Sequence, residues 1–203
     1  MKTVNIAVFV SGGGTNLQAL INAQKAGELH SGKIVLVVSS KPDVFALERA
    51  AKAGIPTVVA ARRECADQAE FEARINAALA EYKIDLIVLA GFLSILSAEF
   101  TAKWNERILN VHPSLIPSFC GKGFYGLKVH EAALERGVKV TGATVHFVNE
   151  IPDGGRIVMQ KAVEVLPDDT PESLQLRVMR KAEWKLLPAA TELVASELLK
   201  NKT

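Results

Sequence analysis

The first half of the chain alternates short, uniformly apolar runs with longer segments whose apolar residues recur every three to four positions. The apolar runs are typical of strands buried on both faces, and the spaced segments of amphipathic helices. The predicted strands cover 4–10, 33–39, 56–60, 85–92 and 107–112. The predicted helices cover 16–27, 43–54, 68–82 and roughly 97–103. This order predicts an α/β fold with a parallel sheet between two layers of helices.

The last third of the chain has a different pattern. Two predicted strands, 139–148 and 155–165, are joined through NEIPDGG without a helix, so we expect them to pair antiparallel. The simplest account is one doubly wound domain over residues 1–203, with a mostly parallel sheet and an antiparallel edge.

A long C-terminal helix is predicted over 170–199. Thr170 is suited to cap it, and Pro171 fits its first position. Pro188 should kink or break this helix, because proline removes a backbone N–H and its ring crowds the preceding turn.

Composition limits the class of protein. Hydrophobic residues make up 49% of the 203 residues and charged residues 23%, as in ordinary globular domains. The net charge is only +2 and no basic block stands out, so we expect no nucleic-acid partner. Cys65 and Cys120 are too few for a disulfide framework, which favours a reducing compartment. The apolar run Val4–Val10 is followed by glycines rather than a cleavage site, and no run is long enough to span a membrane. We therefore expect a cytoplasmic protein.

Ligands of an open parallel sheet bind beyond the carboxyl ends of its strands. One segment there is SGGGTN, residues 11–16, between the first strand and the first helix. It lacks the lysine of a Walker loop, and Leu17 stands where a dinucleotide fingerprint needs a third glycine. A plain strand-to-helix turn remains possible on glycines alone. We favour a cradle for a smaller phosphate, such as a monoester, at the helix N-terminus.

A second segment is RILNVHPSLIPS, residues 107–118, which ends a predicted strand on Asn110 and His112. Residues two apart on a strand share a face, so both side chains should lie over the expected site. Asp153 lies in PDGG, which taken alone is best interpreted as a hairpin turn. Of the remaining histidines, we expect His30 and His130 to be structural or solvated and His146 to be a satisfied core residue. No Ser or Cys stands in a nucleophile elbow. No acidic cluster indicates a metal site, so we expect no metal.

Five motifs together resemble the phosphoribosylglycinamide formyltransferases: SGGGTN, LAGFLSILS, ILNVHPSLIPSF, GATVHFV and DGGRIVMQ. The resemblance covers essentially the whole chain. It implies the Rossmann-like formyltransferase fold and transfer of a formyl group from 10-formyltetrahydrofolate to the amine of N1-(5-phospho-D-ribosyl)glycinamide, a step of purine biosynthesis. It implies small-molecule partners, no metal and no membrane, with a monomer or homodimer as the assembly.

The resemblance also implies roles for individual residues. The catalytic trio matches Asn110, His112 and Asp153. The residues matching the ribonucleotide site are Gly14, Thr15, Asn16, Arg180 and Glu183. The residues matching the walls of the folate site are Gln68, Leu93, Ser94, Ile95, Leu96, Asn110, Val148, Asn149, Glu150, Ile151 and Pro152. We expect the Asp153 carboxylate to favour a charged His112 imidazole, which with Asn110 would stabilise an oxyanion.

The chain departs from the family at three positions. Gln68 stands where some members carry an arginine, Ser94 where an arginine is common, and Trp184 where a histidine is usual. The stretch CGKGFYG, residues 120–126, enlarges the loop beside the site, and we expect it to act as part of a lid.

Three other functions share part of this pattern. A tRNA formyltransferase would need an RNA-binding domain and a basic surface, and a formyl-folate hydrolase would not need the phosphate cradle. A catalytically silent nucleotide-binding module would not need the Asn, His and Asp set.

Overall fold

Seven strands form one sheet in the order β3-β2-β1-β4-β5-β6-β7. The structure is a computed structural model, and it describes residues 2–201. The strands are β1 (Val4–Val10), β2 (Gly32–Ser39), β3 (Thr57–Val59), β4 (Leu86–Leu89), β5 (Ile108–His112), β6 (Val140–Phe147) and β7 (Ile157–Glu164). The α-helices are α1 (Thr15–Ala26), α2 (Phe45–Lys52), α3 (Gln68–Glu81), α4 (Ala98–Lys103), α5 (Leu127–Arg136), α6 (Pro171–Val178) and α7 (Trp184–Lys200).

The sheet has the predicted mixed character. Strands β1 to β5 pair in parallel, and β6 and β7 add an antiparallel edge. The predicted doubly wound fold is therefore confirmed. Most predicted boundaries agree to within a few residues. The prediction 85–92 was too long, because the chain leaves the ladder after Leu89 to build a loop at the carboxyl edge.

Each face of the sheet carries its own apolar core. One core joins alternate residues of β1, such as Val8, to Leu17 of α1 and Leu187 of α7. The other joins the residues between them, such as Phe9, to Phe71 of α3. Side chains alternate across a strand, so β1 is apolar along its length because it supplies both cores.

The C-terminal helical segment differs from the prediction at Pro188. The interruption lies one turn earlier, in a π-helical segment, Met179–Glu183, between α6 and α7. Pro188 is buried inside α7 and does not end it, since the loss of a single helix N–H is tolerated by the bonds around it. π-Helical turns occur often at functional sites, and this one carries Glu183.

The topology brings the candidate site to one edge of the sheet. Strand β1 lies between β2 and β4, so the chain winds in opposite directions on the two sides of β1 and creates a crevice at their carboxyl ends. The glycine loop follows β1, the loop at 90–97 follows β4, and His112 ends β5. None of the helices within residues 2–201 is both long and apolar enough to cross a membrane.

Candidate active site

The end of β5 presents Asn110 and His112 on one face of the sheet. The antiparallel register pairs Asn110 with His146 of β6, and His112 with Thr144. His112 is buried, whereas Asn110 is partly exposed. The ladder with β7 shifts register beside His146, and such bulges next to sites redirect side chains.

Asp153 lies in the connection between β6 and β7, and its carboxylate faces two histidine rings. Its Oδ2 is 3.5 Å from Nδ1 of His112, and its Oδ1 is 3.5 Å from Nε2 of His146. The backbone of Asp153 has φ of 55°, a strained conformation for a residue other than glycine. Gly155, two residues after Asp153, cannot be replaced, because a Cβ there would lie 1.8 Å from the Phe147 carbonyl oxygen. The turn interpretation of PDGG is therefore compatible with a side chain aimed into the site.

The segment after β5 packs directly on these residues. Nε2 of His112 lies 2.8 Å from the Phe119 carbonyl oxygen, and the Gly121 N–H donates to Oδ2 of Asp153 at 2.8 Å. The rings of Phe119 and Phe124 meet edge to face at 6.4 Å. The stretch predicted to be part of a lid, 120–126, thus touches Asp153, and the residue before it touches His112.

Burial and polar contacts shift the pKa values of this cluster in opposite directions. Burial lowers the pKa of His112 below its ordinary value, although the charge of Asp153 and the Phe119 carbonyl act in the opposite direction. Burial alone would raise the pKa of Asp153, but its contacts with His146, the Gly121 N–H and His112 bring it below the ordinary value. Asp153 therefore favours a charged His112, as expected, but burial outweighs that contribution.

The glycine loop has the features of an anion cradle. Gly14 begins α1 with φ of 70°, and no side chain caps this helix, so its first N–H groups are available to a ligand. Two loop carbonyls are bonded to α2: that of Gly12 accepts from the Ala46 N–H at 3.1 Å, and that of Gly13 accepts from Arg49 Nε at 2.8 Å. A Cβ at Gly14 would lie 2.7 Å from the Ala46 Cβ, whereas Gly12 and Gly13 have open space.

Two of the residues assigned to the ribonucleotide meet beside this loop. Asn16 donates through Nδ2 to Oε2 of Glu183 at 2.7 Å, and both side chains are buried, with exposures of 8% and 6%. Burial raises the pKa of Glu183, although the Asn16 amide opposes this. Oδ1 of Asn16 is buried and has no hydrogen-bond partner within residues 2–201. Thr15 opens α1 beside the pair, and Arg180 is exposed on the π-helical segment.

The loop after β4 forms an apolar rim. Leu93 is 62% exposed and Ile95 82%, which is unusual for side chains of this size. Ser94 and Leu96 between and beside them are half-buried. Gln68 donates through Nε2 to the Ile95 carbonyl at 3.0 Å, so it supports the loop from behind.

Two residues outside the predicted set fix this loop. Buried Glu72 accepts from the N–H and the hydroxyl of Ser97, each at 2.6 Å. The Leu93 N–H donates to Oγ of Ser11 at 2.9 Å, and Ser11 also bonds to Ser40. Ser11 therefore ties the apolar rim to the glycine loop. Neither residue gives a signal in the sequence, since both depend on contacts between distant segments.

The segment 148–152 runs from the end of β6 to Asp153, and its first N–H, that of Val148, donates to the Ile108 carbonyl of β5 at 2.9 Å. Val148 and Asn149 are half-buried, and Glu150, Ile151 and Pro152 are exposed. Oδ1 of Asn149 accepts from the Ile151 N–H at 3.0 Å, which fixes a tight turn. Ile151, at 57% exposure, is a further large apolar side chain open to a ligand.

His146 belongs to the cluster, although the sequence pointed only to a satisfied core residue. Its ring is buried and its two nitrogens are engaged, but its partners include Asn110 and Asp153 of the predicted trio. In residues 2–201 no group of three or more His, Cys, Asp or Glu side chains is arranged to hold a metal ion.

Comparisons with known proteins identify relatives of this chain. A family model described as formyl transferase matches residues 4–191. The phosphoribosylglycinamide formyltransferase of Haemophilus influenzae is 42% identical over 183 residues, covering 90% of this chain and 83% of that protein. The crystal structure of the phosphoribosylglycinamide formyltransferase from Brucella melitensis superposes with a TM-score of 0.88 at 42% identity, covering 96% of this chain and 97% of that one.

Longer relatives contain a similar region. The trifunctional purine biosynthetic protein adenosine-3 of Homo sapiens is 47% identical over 195 residues, which is 96% of this chain but 19% of that protein. The chain thus spans less than a fifth of the length of these trifunctional relatives.

Proposed function

Because this chain belongs to the formyl transferase family, we propose that it transfers a formyl group from 10-formyltetrahydrofolate to the amine of N1-(5-phospho-D-ribosyl)glycinamide, a step of purine biosynthesis. The observation that carries this proposal is the meeting of two sites at one sheet edge. The trio at the end of β5 lies on the same edge as an anion cradle at the start of α1. The relatives from Haemophilus influenzae and Brucella melitensis are phosphoribosylglycinamide formyltransferases, which supports the same substrate.

The ribonucleotide fits the polar side of the crevice. A phosphate monoester matches the free N–H groups at the start of α1 and the helix dipole. The buried Glu183 carboxylate can accept from two hydroxyls of a ribose, which would compensate its desolvation. We assign Gly14, Thr15 and Asn16 to the phosphate, and Glu183 with Arg180 to the ribose and phosphate side.

The folate fits the apolar side. The exposed side chains of Leu93, Ile95 and Ile151 offer surface for a flat ring, and the turn 148–152 offers backbone groups for its polar edge. We assign these residues, with Gln68, Ser94 and Leu96, to the folate. When bound, the folate supplies a formyl carbon whose oxygen gains negative charge as the amine attacks.

Asn110 and His112 provide the N–H donors for that oxygen. The Phe119 carbonyl can only accept, so Nε2 of His112 carries a hydrogen even when the ring is neutral. To reach the substrate, His112 must exchange the Phe119 carbonyl for the substrate oxygen, which requires the segment at 119–121 to withdraw. Preorganised donors of this kind contribute about 3 to 4 kcal/mol each to the stabilisation of the transition state.

Asp153 positions His112 and favours its charged form. Its carboxylate lies 3.5 Å from Nδ1 of His112, so it orients the ring through the nitrogen opposite the donor Nε2. The proton lost by the attacking amine must reach the departing folate nitrogen. A water molecule beside Asn110, His112 and Asp153 could carry it.

The test is a formyl-transfer assay with and without the ribonucleotide, following the absorbance of the folate product. We expect product only when the ribonucleotide is present. Product without it would indicate a hydrolase, and ribonucleotide binding without turnover would indicate a silent nucleotide-binding module. Formylation of charged tRNA in place of the ribonucleotide would indicate the tRNA enzyme.

Two further points remain proposals. We propose small molecules as the partners of the site and a monomer or homodimer as the assembly. We propose the cytoplasm as the compartment, supported by two cysteines, Cys65 and Cys120, that are both free in the structure.

A further inference from the structure

His146 has a contact at each ring nitrogen and lies between two residues of the proposed catalytic trio. It is buried in β6, opposite Asn110 of β5. Its Nδ1 lies 2.8 Å from the Phe147 carbonyl oxygen, and its Nε2 lies 3.3 Å from Nδ2 of Asn110. The mechanism proposed above assigns no role to this ring.

The first contact fixes the tautomer of His146. A backbone carbonyl can only accept, so Nδ1 must carry the hydrogen. In the neutral ring Nε2 is then bare and acts as an acceptor. Oδ1 of Asp153 is 3.5 Å from the same Nε2, which is long for a hydrogen bond, so the Asn110 amide is the closer partner.

The tautomer of His146 in turn fixes the orientation of the Asn110 amide. An amide can be turned by 180° with almost no change in shape, and its two ends differ only in being donor or acceptor. A bare Nε2 accepts a hydrogen bond from the NH₂ group of the amide and repels its carbonyl oxygen. His146 therefore holds the nitrogen of Asn110 on its own side, where one N–H bonds to the ring and the other stays free.

We propose that His146 is a positioning residue for formyl transfer, which in its neutral Nδ1–H form holds Asn110 with an N–H available to the formyl oxygen. The inference rests on the proposed function, in which Asn110 stabilises the developing oxyanion. A reversed amide would offer a carbonyl oxygen to that negative charge.

The test compares two replacements of the ring. His146→Gln places an amide oxygen near the position of Nε2 and can still accept from Asn110, whereas His146→Leu cannot. We expect kcat of the Leu variant to fall about ten- to a hundredfold, with both KM values changed by less than about threefold, and kcat of the Gln variant to stay within about threefold of wild type. Thr141→Val, at another buried position of β6 whose hydroxyl is unpaired in residues 2–201, is the control for strand packing.

A purely structural role would change both variants alike. Equal losses in the Gln and Leu variants with matching losses in Tm, an unchanged kcat in the Leu variant, or an effect on KM alone would each overturn the proposal.

A second measurement needs no substrate. The ¹⁵N ring signals of labelled histidine distinguish the tautomers, and the spectrum of His146→Gln identifies those of His146. We expect a protonated Nδ1 and a bare Nε2 near neutral pH. A ring that carries its hydrogen on Nε2 would refute the role of His146, whereas a wild-type chain that transfers no formyl group would refute the proposed function, so the two failures are distinguishable.

Discussion

His130 offers a stability prediction whose size follows from the structure. The residue is fully buried in α5, and within residues 2–201 neither of its ring nitrogens has a hydrogen-bond partner. Burial lowers its pKa to about 4, and the charge of His112 acts in the same direction. The folded chain therefore holds His130 neutral, while the unfolded chain protonates it below an ordinary pKa of about 6.5.

The sign of the pH dependence follows from proton binding. Between about pH 6.5 and pH 4 the unfolded chain binds more protons at this residue, so the free energy of unfolding falls as the pH falls. The difference of about 2.5 in pKa corresponds to about 3 kcal/mol once both states are protonated, and about 2 kcal/mol of this is already lost near pH 5.

The perturbation is His130→Leu, which removes the titrating group and keeps a similar volume. Near pH 7.5 we expect the variant to be as stable as wild type or more so, because an unpaired buried polar ring is replaced by an apolar side chain. Near pH 5 the free energy of unfolding of the variant should exceed that of wild type by about 2 kcal/mol more than at pH 7.5. Urea unfolding followed by tryptophan fluorescence at the two pH values gives this difference directly.

The control is His30→Leu, because the side chain of His30 is 73% exposed. That variant should lose stability with falling pH as wild type does. If the free energies of unfolding of wild type and His130→Leu differed by the same amount at both pH values, His130 would not be held neutral in the folded chain. The reasoning from its burial would then be refuted.

Three further predictions concern the proposed activity. His112→Ala should lower turnover by about 10² to 10³-fold while the ribonucleotide dissociation constant, measured calorimetrically, changes by less than about twofold; near-normal turnover would remove His112 from the mechanism. Asp153→Asn removes the charge that raises the pKa of His112, so the alkaline limb of the pH–rate profile should move to lower pH with little change in Tm, and an unchanged profile would leave Asp153 as a turn residue. Gly14→Val should raise KM for the ribonucleotide more than for the folate, but its Cβ would also meet Ala46, so Tm should fall as well; Gly13→Ala, in open space, should leave Tm unchanged, and a fall in Tm there would contradict the loop geometry.

The sheet could be predicted because each of its strands carries a local signal. Strand β1 is apolar throughout since both of its faces are buried, and the amphipathic spacing of α1 and α3 follows from burial of one helix face. The position of the interruption in the C-terminal helical segment could not be predicted in this way. A proline is visible in the sequence, whereas the π-helical segment at Met179–Glu183 depends on where Glu183 must be buried against Asn16.

The site residues differ in the same way: some follow from a local pattern, and others depend on contacts between distant segments. Asn110 and His112 were identifiable because a strand that ends on two polar residues of one face is a local pattern. Glu72 and Ser11 support the site through hydrogen bonds to residues 25 and 82 positions away, and no local pattern predicts such partners. The family resemblance supplied the trio, whereas it included His146 only within the motif GATVHFV and gave it no role.

His146 shows why a correct local inference can still miss a function. Its strand pattern predicts a buried, satisfied ring, and the ring is indeed buried with both nitrogens in contact. What the pattern leaves open is the identity of the partners, which is set by the register of β6 against β5. A slip of one residue would turn His146 to the other face of the sheet and leave the Asn110 amide free to reverse. Because the donor that Asn110 offers depends on that pairing, the register of two antiparallel strands fixes a catalytic property that neither strand encodes alone.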